Sequence, residues 1–120
     1  MNKSDTIKNF LDMINEAEST LPIVYGMVND LDKATQDIMH KLELEELSYK
    51  DNCKLMTQLK TIRKDRRYYK DKVEQYQIIA TYYKDNKKSV DLLKQKLGEM
   101  RKVEEYHLTR TYVPKILKGE

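Results

Sequence analysis

From Leu55 to Tyr83 one line of residues recurs at alternating spacings of four and three: Leu55, Leu59, Ile62, Arg66, Tyr69, Val73, Tyr76, Ala80 and Tyr83. This is the period of a helix presenting one stripe to a partner helix; a strand repeats every two residues. Such a stripe requires a second helix of comparable length. Val24, Val28, Leu31, Thr35, Ile38 and Leu42 repeat the alternation. A turn at Leu47-Ser48-Tyr49, with Ser48 as helix cap, would fold the two into an antiparallel hairpin. Its register sets Leu42 against Leu55, Ile38 against Leu59, Thr35 against Ile62, Val28 against Tyr69 and Val24 against Val73.

Four helices are expected around this hairpin. The first runs from about residue 5 to 18, capped by Ser4 or Asp5, with Ile7, Phe10, Leu11, Ile14 and Ala17 on one side. Ser19-Thr20-Leu21-Pro22 interrupts it, and Pro22 opens a second helix to about residue 46, since proline is harmless in a first turn. Gly26 weakens that start by about 1 kcal/mol, and a short extended Leu21–Tyr25 is the alternative. The third and longest helix covers about 49–84. Asp85-Asn86-Lys87-Lys88-Ser89 then favours a break over one continuous helix of some sixty residues, although the stripe's phase passes through it. The fourth covers about 89–112, with Ser89 as its cap and Val90, Leu93, Leu97, Met100, Val103 and His107 as its stripe. Pro114 stops it and leaves a frayed tail from Lys115 to Glu120. The expected fold is all-α: a single domain of about four helices in an antiparallel hairpin or bundle, with one long central helix.

Charge is unevenly placed. Residues 1–47 carry four Lys/Arg against ten Asp/Glu, and residues 48–120 nineteen against ten, within a net charge of +3. The acidic and basic halves should first satisfy each other, leaving surplus basic surface for an external partner. No apolar run is long enough to span a bilayer, and the opening residues lack a signal peptide's apolar region. The lone Cys53 cannot form an internal disulfide, which suits a reducing cytoplasm.

Catalysis demands a convergent nucleophile, an acid/base pair or a metal cluster. His40, His107 and Cys53 are far apart in sequence and match no zinc spacing, and three glycines form no phosphate-cradling loop. No catalytic residue, cofactor or metal ligand is therefore expected. His40 and His107 read as boundary residues beside their stripes, and Cys53 as a small packing residue. Arg66 stands in a stripe slot that normally holds Leu or Ile. Its aliphatic stem can lie over the seam, or its guanidinium can pair with Asp30 or Asp32 across the hairpin. Arg63, Arg67 and Lys70 lie three or four apart on a neighbouring face, extended by Lys60 and Glu74, with Tyr68 nearby. Solvated mixed charge is the plain explanation of such a face. The functional one is a docking patch in which Arg63, Arg67, Tyr68 and Lys70 meet an acidic protein, since Arg and Tyr are enriched at interface hot spots. Interspersed Asp65 and Asp71 place nucleic acid second.

Two segments resemble a group of small helical proteins encoded by phages and prophages of Gram-positive bacteria. They are Asp37-Ile38-Met39-His40-Lys41-Leu42-Glu43-Leu44 and Ile62-Arg63-Lys64-Asp65-Arg66-Arg67-Tyr68-Tyr69-Lys70-Asp71, within about residues 35–75. The resemblance implies a helical hairpin and no particular activity. The size and the Lys/Tyr/Asn-rich character are also similar to anti-defence proteins of Bacillus prophages. That likeness implies a non-enzymatic inhibitor working in the bacterial host cytoplasm. Its partner would be a large NAD-degrading host defence protein, a defence-associated sirtuin. The alternatives are a nucleic-acid-associated phage accessory protein and a structural coiled-coil oligomer.

Overall fold

In the computed structural model, which describes residues 2–117, all secondary structure is helical. Three helices form: α1 (Lys3–Leu44), α2 (Tyr49–Asp85) and α3 (Lys87–Thr109). By internal contacts the chain divides into two compact units. One holds the residues up to Asp12 together with those from Asn86 onward, and the other is Met13–Asp85.

The expected count of four is corrected to three because the first two helices are one. Pro22 lies inside α1. An internal proline removes one helical hydrogen bond and crowds the preceding turn, at a cost of about 3 kcal/mol. Burial on both sides offsets that cost: Ile14 and Ala17 before Pro22, and Val24 and Val28 after it, are all buried, while Pro22 itself is exposed. The stripe Ile14, Ala17, Leu21, Val24 and Val28 keeps its phase across the proline. A tertiary seam thus overrides a local breaker.

The Met13–Asp85 unit is the antiparallel hairpin. Val24, Val28 and Val73 form a buried cluster against which Leu21, Tyr69 and Tyr76 pack, in the register read from the stripes. Val73 is buried, and every other slot of the α2 stripe from Leu55 to Tyr83 is half-buried. Polar bonds also cross the hairpin. Tyr76 Oη donates to Glu16 Oε1 at 3.2 Å, Tyr25 Oη to Gln77 Oε1 at 2.7 Å, and Arg66 Nε to Asp32 Oδ1 at 2.5 Å. At the turn, Ser48 caps α2 as expected, its Oγ accepting from the Asp51 amide at 3.2 Å.

In the other unit, Asn2 rather than Ser4 or Asp5 precedes the first helical residue. Its backbone amide donates to Asp5 Oδ2 at 3.1 Å, half of a capping box. Ser4 is instead buried, and its hydroxyl donates to Glu104 Oε1 at 2.5 Å while its amide reaches Glu104 Oε2 at 3.2 Å. Leu11 and Val90 are buried; Leu93, Leu97 and Met100 are half-buried. The stripe then continues to Glu104, not to Val103 and His107, which are exposed. After Met100 the alternation calls for a step of four, and Glu104 fills that slot because Ser4 satisfies its carboxylate. The break between α2 and α3 falls at Asn86, inside the expected window, and Ser89 lies within α3 instead of capping it. Helix α3 ends at Thr109 with Arg110 extended (φ −63°, ψ 141°), earlier than the expected residue 112. β-Branched Thr111 and Val113, the latter just before Pro114, disfavour helix there. Residues 115–117 are non-helical, and the rest of the tail lies outside the described residues.

Candidate protein-binding face

Helix α2 gives one side to α1 and leaves the other free. At about 100° per residue, positions 56, 60, 63, 67 and 70 share one line beside the buried stripe. Arg63 and Arg67 lie on it and are exposed. Among the described residues Arg67 pairs only with Asp71, one turn along the same helix at 4.0 Å, with the two side chains 70% and 52% exposed. A pair that open and that long is worth little. Arg63 has no ion pair among the described residues. Lys70, further along the line, is half-buried.

Tyr68 does not join them. One position from Arg67, it points about a quarter-turn away. Its ring stands edge-on to Tyr69, centroids 5.2 Å apart at 82°, and Lys72 Nζ lies 5.5 Å from its centroid. Of the four expected site residues the fold therefore unites Arg63 and Arg67, sets Lys70 at the end of their line, and turns Tyr68 to a separate aromatic–cation cluster.

Two depressions meet at Arg63 and Arg67. A furrow of about 660 Å³ runs along α2, lined by Met56, Leu59, Lys60, Arg63, Lys64 and Arg67 with Thr57 between them. One helix supplies every wall, so it is a channel between exposed side chains and not an enclosed cavity. No carboxylate lines it. Met56, absent from the sequence reading, belongs to it; extending the line of Arg63 back by one turn to Lys60 and a second to Met56 would have found it. The second is a cleft of about 410 Å³ between the hairpin helices, lined by Asp32, Thr35, Arg63, Arg66 and Arg67. Arg66 satisfies both sequence readings: its side chain is 37% exposed and its Nε is paired with Asp32, not Asp30.

Elsewhere the residues of possible chemistry stand apart. His40 and His107 are exposed, and Cys53 is exposed instead of packed. Among the described residues no group of three or more His, Cys, Asp or Glu side chains is placed to hold a metal ion. Nor is any helix long and apolar enough to cross a membrane. The Tyr76 hydroxyl is pushed above the usual phenol range, first by desolvation, then by its bond to Glu16 and that carboxylate's charge. No known protein family, curated protein or solved structure matches this chain.

Proposed function

We propose that the chain is a non-enzymatic, phage-encoded protein that binds and inhibits a host anti-phage defence protein, an NAD-degrading defence-associated sirtuin, in the bacterial cytoplasm. It docks through the outer side of α2. The observation that carries the docking reading is the furrow beside Arg63 and Arg67, which combines four cations with Met56 and Leu59 and has no acidic lining. Of its lining only Leu59 belongs to the stripe that packs on α1; Met56 and the four cations are exposed. Arg and Met are over-represented where protein surfaces meet, and a surplus of cations steers the chain toward an acidic surface. The choice of partner comes from the phage-protein resemblance. The test is reconstitution: purified defence sirtuin with its phage trigger consumes NAD, and added chain should stop that consumption in proportion to complex formed on a sizing column. Undiminished consumption with no complex refutes the reading.

A second reading rests on its own observation. A further furrow, at the start of α2, is lined by Tyr49, Lys50, Cys53, Lys54, Thr57 and Gln58, again without an acid. Cations thus continue from Lys50 to Arg67 along one helix, a track that suits nucleic-acid phosphates. Duplex binding whose affinity falls steeply and log-linearly with added salt would favour this reading, through counterion release.

A further inference from the structure

The cleft between α1 and α2 holds an unbalanced charge. Three guanidinium groups, from Arg63, Arg66 and Arg67, line it with the single carboxylate of Asp32. Asp32 takes Arg66 through Nε, and Thr35 turns its hydroxyl to the Leu31 carbonyl at 3.0 Å. Among the described residues Arg67 has only the 4.0 Å pair along its own helix. A guanidinium engaged at Nε still presents the edge bearing its two terminal nitrogens, the fork that grips a carboxylate with two parallel hydrogen bonds. Asp32 therefore orients Arg66 without exhausting it.

We infer that this cleft is a receptor for one carboxylate, the side chain of an Asp or Glu on an amphipathic segment of the protein partner. The inference rests on the protein-binding reading above and names the chemistry that reading requires. Two features favour a protein carboxylate over phosphate. Asp32 is 45% exposed at the cleft, and its charge opposes a dianion more than a monoanion. Arg63 and Arg67 also line the adjoining furrow, where Met56 and Leu59 offer apolar contact. Leu59 stands one turn of α2 back from Arg63, so an acidic side chain in the cleft would place an apolar neighbour one helical turn away over Leu59.

The test uses a fluorescein-labelled helical peptide of glutamate and leucine at four-residue spacing, with the intact chain, read by anisotropy. Arg66→Lys keeps the charge and the stem but removes the fork, so it should weaken peptide binding roughly tenfold. Lys60→Ala removes a whole charge outside the cleft and should weaken it less than about threefold. Helicity by circular dichroism should be unchanged in both. Equal losses, or a larger loss for Lys60→Ala, would overturn the cleft and leave a diffuse docking face standing. So would failure of the peptide to bind a chain that still inhibits the defence enzyme; failure of both measurements would overturn both readings. Displacement of the peptide by sub-millimolar inorganic phosphate, or by a single-stranded oligonucleotide that is itself sensitive to Arg66→Lys, would overturn the assignment to a protein carboxylate.

Discussion

Arg66 and Arg63 are three residues apart on the same helix and share the lining of one cleft, yet folding uses them differently. Arg66 sits in the seam, half-buried, its Nε tied to Asp32. Arg63 stands at the edge of the seam, exposed, where the cleft meets the furrow of Arg67 and Met56. The seam is accounted for by folding: its slots are covered by α1, and its polar groups find partners across the hairpin. The outer side is not. Its cations gain little from one another or from Asp71, and Met56 is 54% exposed. The difference teaches where evidence for function can be sought. A feature that packing already explains is weak evidence for binding, and a cationic, partly apolar line with no folding role is stronger.

The largest test of this division is a charge placed in the seam. Val73 is 3% exposed, so Val73→Asp should cost about 4 kcal/mol or more, the scale of an unpaired buried charge. Loss of the cooperative thermal transition is expected; the same substitution at exposed Lys60 should move stability by only about 0.5 kcal/mol. A comparable loss at both sites would erase the distinction between the faces. Next in size is Pro22→Ala. Pro22 is exposed and inside α1, so alanine should stabilise by about 2 kcal/mol, seen as a raised thermal midpoint. A lowered midpoint would mean that the proline shapes the helix instead of being tolerated by it.

Arg66→Leu should leave the helix signal intact, within about 1 kcal/mol, because the stem's packing is retained and the lost ion pair is partly exposed. Collapse of the circular dichroism signal would make the Asp32 pair structurally essential. The smallest effect concerns Tyr76, whose hydroxyl is held above the ordinary value of 10.0. A folded-state pKa above the unfolded one stabilises the fold at pH values below the unfolded pKa, and that contribution disappears as pH rises through the folded pKa. Tyr76→Phe should therefore leave a shallower fall in urea midpoint above about pH 10 than the wild type shows. An identical slope would assign the fall to other groups.

Much of the hairpin was legible because its signal is periodic. The stripes of α1 and α2 are read independently of each other, and the Val24, Val28 and Val73 cluster with Leu21, Tyr69 and Tyr76 follows their register. Interruption of a helix was less legible. Pro22, the stronger breaker, interrupts nothing because it falls within the Met13–Asp85 unit with buried residues on both sides. Asn86, a weaker breaker, ends α2 where one unit gives way to the other. The other boundary, between Asp12 and Met13, carries no breaker, and α1 passes through it. A break here needs both a breaker and a boundary, and local propensity supplies only the first. The site was legible in part for a related reason. Helical spacing alone places Arg63 and Arg67 together, but Tyr68 was grouped with them by nearness in sequence, which on a helix means a different face. Glu104 was missed because a carboxylate was not expected in a stripe slot; only Ser4, a hundred residues away, accounts for it.

If the exposed Arg63–Arg67 line is the docking surface proposed above, reversing its charge should remove binding and leave the hairpin folded. The most direct test is titration of the defence enzyme with the Arg63→Glu/Arg67→Glu variant beside the wild type, the thermal midpoint of each being recorded on the same samples. The expected result is a midpoint within about 2 °C of wild type and binding weakened at least about a hundredfold. Unchanged binding, or binding lost together with the thermal transition, would contradict that proposal.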